Sequence, residues 1–180
     1  MQLEIVLGNI TAMKVDAIVN AANSSLLGGG GVDRAIHRAA GTALLRECRR
    51  LGGCNTGEAK LTKGYRLPAP YVIHAVGPVW QGGGEGEADL LRSCYQNALR
   101  IATNAQLKSI AFPAISTGVY HYPLSEAARI AIESTIDFLD QAPGCSLESI
   151  YFVCFNKVTY TAYSNIIAAK TPLESISIIG

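Results

Sequence analysis

The chain has 180 residues, enough for one domain and at most a short tail. It is 49% hydrophobic and only 16% charged, which excludes a disordered chain and lets a core form without disulfide or metal staples. Fifteen Lys and Arg against fourteen Asp and Glu leave a formal charge of +1, a balance that argues against holding nucleic acid or an anionic membrane by bulk charge.

In chain order, apolar runs of strand length fall at residues 3–7, 17–20, 59–63, 71–76, 110–114 and 150–155. Several are continuous rather than alternating, as strands covered on both faces should be. Helical periodicity fills the gaps. Residues 32–50 carry apolar side chains at 32, 35, 36, 39, 40, 44, 45 and 48, a stripe that predicts one long helix. Further helices are predicted over 88–102, 125–139 and 158–169. Strands alternating with helices imply a three-layer α/β/α sandwich around a mixed, mostly parallel central sheet. The runs 59–63 and 71–76, joined by a short Pro-containing connection, are expected to pair antiparallel. Residues 1–170 form a single domain in this reading. Residues 171–180 are a C-terminal tail for which an extra strand, a docked segment and disorder all fit.

The five cysteines, at 48, 54, 94, 145 and 154, form no CxxC pair and no zinc spacing, and an odd number cannot all pair within one chain. We expect a reduced, cytoplasmic protein with no metal. No basic-then-apolar leader and no apolar run of about 18 residues points to a membrane.

Ligands of open α/β sheets bind beyond the carboxyl ends of the strands, and the unusual residues cluster at four such places. Gly8, Asn9 and Ile10 follow the first strand. Asn20, Ala21, Ala22 and Asn23 follow the second, before Gly28, Gly29, Gly30, Gly31, Val32 and Asp33 open a helix. Ser116, Thr117, Gly118, Val119 and Tyr120 follow the fifth strand, and Phe155 and Asn156 the sixth. Four glycines before a helix let backbone N–H groups approach an anion closely, and the helix end adds roughly half a positive charge. Two such donor-rich loops facing one crevice suit a diphosphate. No Lys-Ser/Thr follows the glycines and no GxGxxG is present, so neither the P-loop nor the dinucleotide pattern applies. Taken alone, the glycines fit a plain flexible turn equally well.

The segments GNIT, VDAIVNAANSSLLGGGGVDRAIHRAAG, GPVW and AFPAISTGVYHYP together resemble the macrodomain family, in its MacroD-type branch of ADP-ribosyl hydrolases and O-acetyl-ADP-ribose deacetylases. The resemblance runs from about residue 3 to residue 169, in order and at family-like spacing. It implies an ADP-ribose cleft with no cofactor. Asn9 and Ile10 would meet the adenine, Phe155 would stack on it, and residues 28–32 and 116–120 would hold the two phosphates. Asn23 would bond the distal ribose, with Asn20 anchoring the loop or a water. Asp33 would sit beneath that ribose, accepting a proton from a water or holding a hydroxyl, while Tyr120 closes over it. A helix N-terminus favours the ionised carboxylate, which suits an orienter better than a strong base, with a substrate phosphate then activating the water; the sequence does not separate base from orienter.

Other residues take blander readings. His37, one turn after Asp33, fits a satisfied structural histidine better than a catalytic one. His74, inside an apolar strand, reads as core. Zinc-dependent relatives carry extra Cys and His ligands around this helix start, and those are missing here.

Two positions depart from the family. Asn9 stands where an aspartate is usual, removing a charge-assisted contact of about 1 kcal/mol. His121 follows Tyr120 where relatives have a smaller residue, and is expected to touch a phosphate or narrow the distal pocket. The resulting expectation is a monomeric hydrolase of ADP-ribose esters, acting on O-acetyl-ADP-ribose or mono-ADP-ribosylated proteins. Its rival is a reader that binds ADP-ribose without turnover. An RNA- or poly-ADP-ribose-binding module is disfavoured by the single Trp and the missing basic patch.

Overall fold

The computed structural model describes residues 1–170 and 177–179. Its strands are β1 (Gln2–Leu7), β2 (Ala17–Ala22), β3 (Ala59–Lys63), β4 (Tyr71–Val76), β5 (Ser109–Phe112), β6 (Ser149–Cys154) and β7 (Ser177–Ile179). Its helices are α1 (Gly31–Ala40), α2 (Thr42–Leu51), α3 (Glu87–Asn104), α4 (Leu124–Gln141) and α5 (Lys157–Ala168), and a 3-10 turn covers Ile10–Ala12. The sheet order is β3-β4-β2-β5-β6-β1-β7. Only the β3–β4 edge pair is antiparallel, as the short connection between them predicts. All other pairings are parallel, so the loops after β1, β2, β4, β5 and β6 emerge at one end of the sheet.

The predicted three-layer sandwich follows from which side chains each strand turns to each side. Ile18, Val72, Val76, Ala111 and Val153 pack under α1 and α2 with Ile36, Ala40, Leu44 and Cys48. The alternate residues, among them Ala17, Val19, Ile73, Phe112 and Phe152, pack under α3, α4 and α5. Each fully buried Ile or Leu of these cores contributes about 1.5–3 kcal/mol. By the same alternation Asn20 on β2 and His74 on β4 point into the α1–α2 layer, and the register sets them directly side by side.

The structure corrects the single helix over 32–50. Gly41 interrupts it at φ 89°, a conformation that favours glycine, and separates α1 from α2. Its N–H donates to His37 O at 3.0 Å to close α1, and Leu44 N–H donates back to Gly41 O at 3.3 Å. The apolar stripe survives the break because both helices rest on the same sheet face. The fifth strand ends at Phe112, just before Pro113, which has no N–H for a ladder. Ser177–Ile179 pair with β1, while the rest of the tail reading, 171–176 and 180, lies outside the described residues. All five cysteines are free thiols, four of them buried and Cys145 partly exposed. No helix among the described residues is long and apolar enough to cross a membrane.

Candidate functional site

The four polar clusters do converge. They line one cleft of about 760 Å³ at the carboxyl end of the sheet. Asn9, Ile10, Asn23, Gly29, Gly30, Gly31, Val32, Asp33, residues 116–120 and Phe155 all reach its wall. Asn20 and Gly28 do not. Asn20 is fully buried beneath the wall, and Gly28 O accepts from Asn23 Nδ2 at 2.9 Å behind it. His121 is exposed and outside the lining, held in a left-handed turn at φ 57°, so the expectation that it narrows the pocket is not met.

Under the cleft lies a chain of buried polar groups. Asn20 Nδ2 donates to Asp33 Oδ1 at 2.9 Å and lies 3.1 Å from His74 Nδ1. With both amide protons of Asn20 engaged, His74 Nδ1 must accept, which places the imidazole proton on Nε2. That proton faces Thr62 Oγ1 at 2.9 Å, and Thr62 in turn donates to Lys63 O at 3.2 Å. Burial pushes His74 down to about 3, so it stays neutral over the working pH range. His37 Nε2 approaches the same Asp33 oxygen at 3.4 Å. The structure therefore gives His74 more than a core role: it fixes the amide that fixes Asp33.

Asp33 itself is 4% exposed. Burial raises its pKa, and the lowering by the Asn20 hydrogen bond and by His37 does not offset this. Desolvation thus outweighs the groups that favour the ionised form, and leaves the Asp33 carboxylate more basic than an ordinary aspartate. Its second oxygen is left open by Gly29, where a Cβ would stand only 3.0 Å from Oδ2. Asn23 is stapled into its own loop, with Oδ1 accepting from Ser25 N–H at 3.2 Å and Ser25 Oγ at 2.6 Å. One Asn23 amide proton remains for the cleft.

Two donor nests flank this floor. Gly30 caps α1 and has no side chain to satisfy the first-turn N–H groups, which face the cleft unpaired. Across from it, the N–H groups of Ser116, Gly118, Val119 and Tyr120 have no acceptor among the described residues. Positive φ at Ser116 (67°) curls this loop into a concavity suited to an anion. Gly77 supports it from below: a Cβ there would collide with Ser116 Oγ and Ile115.

At one end of the cleft Phe155 is 89% exposed, an aromatic face with nothing on it. Nearby, Ile10 N–H has no acceptor among the described residues. Asn9 uses its carboxamide oxygen to cap the 3-10 turn, accepting from Thr11 N–H at 3.0 Å and Thr11 Oγ1 at 2.8 Å. At the other end Tyr120 is held through its backbone, its carbonyl accepting from Trp80 N–H at 2.8 Å. Trp80 begins a glycine-rich loop folded around Glu87, whose carboxylate accepts from the N–H groups of Gln81, Gly83 and Glu85 at 3.0, 2.8 and 2.6 Å. Sequence reasoning missed Glu87, Thr62 and Gly77. Among the described residues no cluster of three His, Cys, Asp or Glu side chains is placed to share a metal ion.

Residues 19–131 match the family described as Macro domain. A macro domain-containing protein of Chlorobaculum tepidum is 58% identical over 161 residues, covering 89% of this chain and 92% of its own. An O-acetyl-ADP-ribose deacetylase of Salmonella newport is 50% identical over 173 residues, covering 94% and 96%. The solved Trypanosoma brucei macrodomain in complex with ADP-ribose superimposes with a TM-score of 0.86 at 49% identity, over 92% of this chain and 68% of that one. By sequence and by fold, this chain belongs to the macro domain family.

Proposed function

We propose that this protein binds ADP-ribose and hydrolyses esters of its distal ribose, deacetylating O-acetyl-ADP-ribose or releasing mono-ADP-ribose from Asp or Glu side chains. The observation that carries the reading is the Asn20–Asp33 pair buried at 2.9 Å under the meeting point of two donor nests. A diphosphate bridging the nests lays one ribose over Asp33 and the other toward Phe155. A module that only binds has no need of a desolvated carboxylate with one oxygen held and the other open. In this mechanism Asp33 Oδ2 takes a proton from a water as its oxygen adds to the ester carbonyl. The tetrahedral adduct then expels the ribose oxygen, which recovers a proton, leaving an acid and free ADP-ribose. Asn20 keeps Oδ1 turned away, so the basic oxygen has one position. Tyr120 covers the ribose and limits bulk water.

The test is release of ADP-ribose from a protein mono-ADP-ribosylated on glutamate. Wild type is expected to release it, and Asp33→Ala to lose turnover by about tenfold or more while still binding ADP-ribose. Undiminished turnover in the variant removes Asp33 from the mechanism. Absence of release by a folded wild type that still binds ADP-ribose makes the protein a reader.

A further inference from the structure

The near-neutral chain hides a charge separation. Between residues 31 and 66 there are eight basic residues against three acidic, whereas 85–148 hold eight acidic against four basic. The basic excess gathers on the outer face of the α1–α2 layer. Arg34 and Arg38 stand one turn apart on α1, and Arg46, Arg49 and Arg50 share a stripe of α2. Arg66 joins the two sets at the Gly41 corner: its N–H donates to Ala40 O at 3.3 Å, and its side chain lies 3.4 Å from where a Gly41 Cβ would be. All six are exposed, and none pairs with a carboxylate among the described residues. On the opposite layer Arg92 and Arg129 do pair, with Asp137, Glu126 and Glu133. Glu47, the one acid on the α2 surface, is engaged by Lys63 N–H and the Tyr65 hydroxyl instead.

Local stability does not account for this pattern. Arg38 suits the carboxyl end of α1, and Arg49 and Arg50 that of α2, but Arg46 lies mid-helix and Arg34 sits at the positive end of α1, where a cation is unfavourable. Like charges one helical turn apart, as at 34/38 and 46/50, repel. The face is also joined to the cleft. A second, shallow cavity of about 370 Å³ is lined by Arg49, Ser24, Ser25, Leu27, Gly52 and Gly53. It lies behind the same loop whose Asn23 lines the cleft, and Cys54 N–H locks the two together by donating to Ser24 O at 2.9 Å.

We propose that this arginine face docks an acidic polypeptide, the carboxylate-rich stretch flanking the esterified residue of a protein substrate. The inference rests on the ester-hydrolase reading above and supplies the partner which that reading leaves open. Guanidinium forks match carboxylates, and six of them without a carboxylate partner among the described residues, Arg46 reaching only the Thr42 hydroxyl at 3.3 Å, present an array that an outside polyanion would complete. Nucleic acid fits less well. The one exposed aromatic on this face, Tyr65, is tied to Glu47, so unpaired bases have nothing to stack on.

The experiment compares two peptides, each ADP-ribosylated on one glutamate, with flanking glutamates in one and alanines in the other. Wild type is expected to favour the glutamate-flanked peptide in kcat/KM by about tenfold at low salt, and to lose that preference near 0.3 M NaCl. The triple variant Arg46→Glu, Arg49→Glu, Arg50→Glu should treat the peptides alike, with unchanged calorimetric affinity for ADP-ribose as proof of an intact cleft. Equal handling of both peptides by wild type overturns the proposal. If neither peptide is cleaved, the hydrolase reading fails, and docking is read from anisotropy of a labelled, unmodified glutamate-rich peptide. Salt-sensitive binding of that peptide lost in the triple variant then sustains the surface, and its absence overturns it. Tighter binding of a 5′-phosphorylated DNA oligomer than of the peptide overturns the polypeptide as occupant.

Discussion

Two buried carboxylates, one in the floor of the cleft and one behind its wall, are treated in opposite ways. Asp33, in the floor, is solvated by one side-chain amide and a distant imidazole, and burial leaves its pKa raised. Glu87, behind the Tyr120 wall, is as well hidden, yet its oxygens collect N–H groups from Gln81, Gly83 and Glu85, and its pKa is lowered in spite of burial. Burial alone therefore does not decide what a carboxylate becomes; the number of donors aimed at it does. The under-solvated acid keeps a reason to take a proton. The fully solvated one has none, and serves as the peg around which a loop is wound.

Removing the amide that holds Asp33 should give the largest effect. Asn20→Ala is expected to lower turnover by about tenfold or more and to move the acid limb of the pH–kcat profile to higher pH. Asp33 must be ionised to accept a proton, and the variant loses the bond that lowers its pKa. An unmoved limb would show that Asn20 does not tune Asp33. His74→Phe should shift the limb the same way by freeing Asn20, and His74→Asn, which restores an acceptor at Nδ1, should partly reverse it. Next in size, Phe155→Ala should weaken ADP-ribose binding by about 1–3 kcal/mol in calorimetry, as loss of one stacked base does, with little change in kcat.

Glu87→Gln should act on the wall instead. With its stabilising charge gone, the 81–86 loop loosens, and Trp80, packed 4.8 Å from Tyr122, changes its fluorescence. In wild type the same change is expected on acidification. Glu87 adds stability above the ordinary glutamate pKa and loses it as pH falls through its depressed value. The stability contribution of Asp33 has the opposite sign: it is full below the ordinary aspartate pKa and is lost as pH rises through its raised value. The smallest effect belongs to Asn9→Asp. One carboxylate oxygen would keep the cap on Thr11 and the other would become free for an amino group, tightening ADP-ribose by about fivefold. Unchanged affinity would show that the purine end is held by Phe155 and Ile10 alone.

The layered fold was legible because its strands are near-continuous apolar runs and its helices keep a regular stripe. The Gly41 corner was not, since a stripe that serves two helices on one face looks the same as one helix. The lining of the cleft was legible in the glycines, Asn23, Asp33 and Phe155, whose residue types are unusual after strands. His74 was hidden by its apolar neighbours. What reveals it is register, two polar residues side by side on adjacent strands, and register between β2 and β4 is a property of the sheet, not of either segment. Glu87 was hidden for a different reason: its partners are backbone N–H groups, which carry no sequence signature. The overall charge concealed the arginine face because acids on the other helical layer cancel it.

All the ligand-facing loops leave one end of the sheet, and Cys145 lies at the other, in the segment that leads into the first residue of β6. It is the sole cysteine of the chain that is not buried. A thiol-reactive tether would thus attach at a single place, with the cleft facing away from the support. Immobilised in that orientation, every molecule on a sensor chip would present the same open mouth to whatever flows over it.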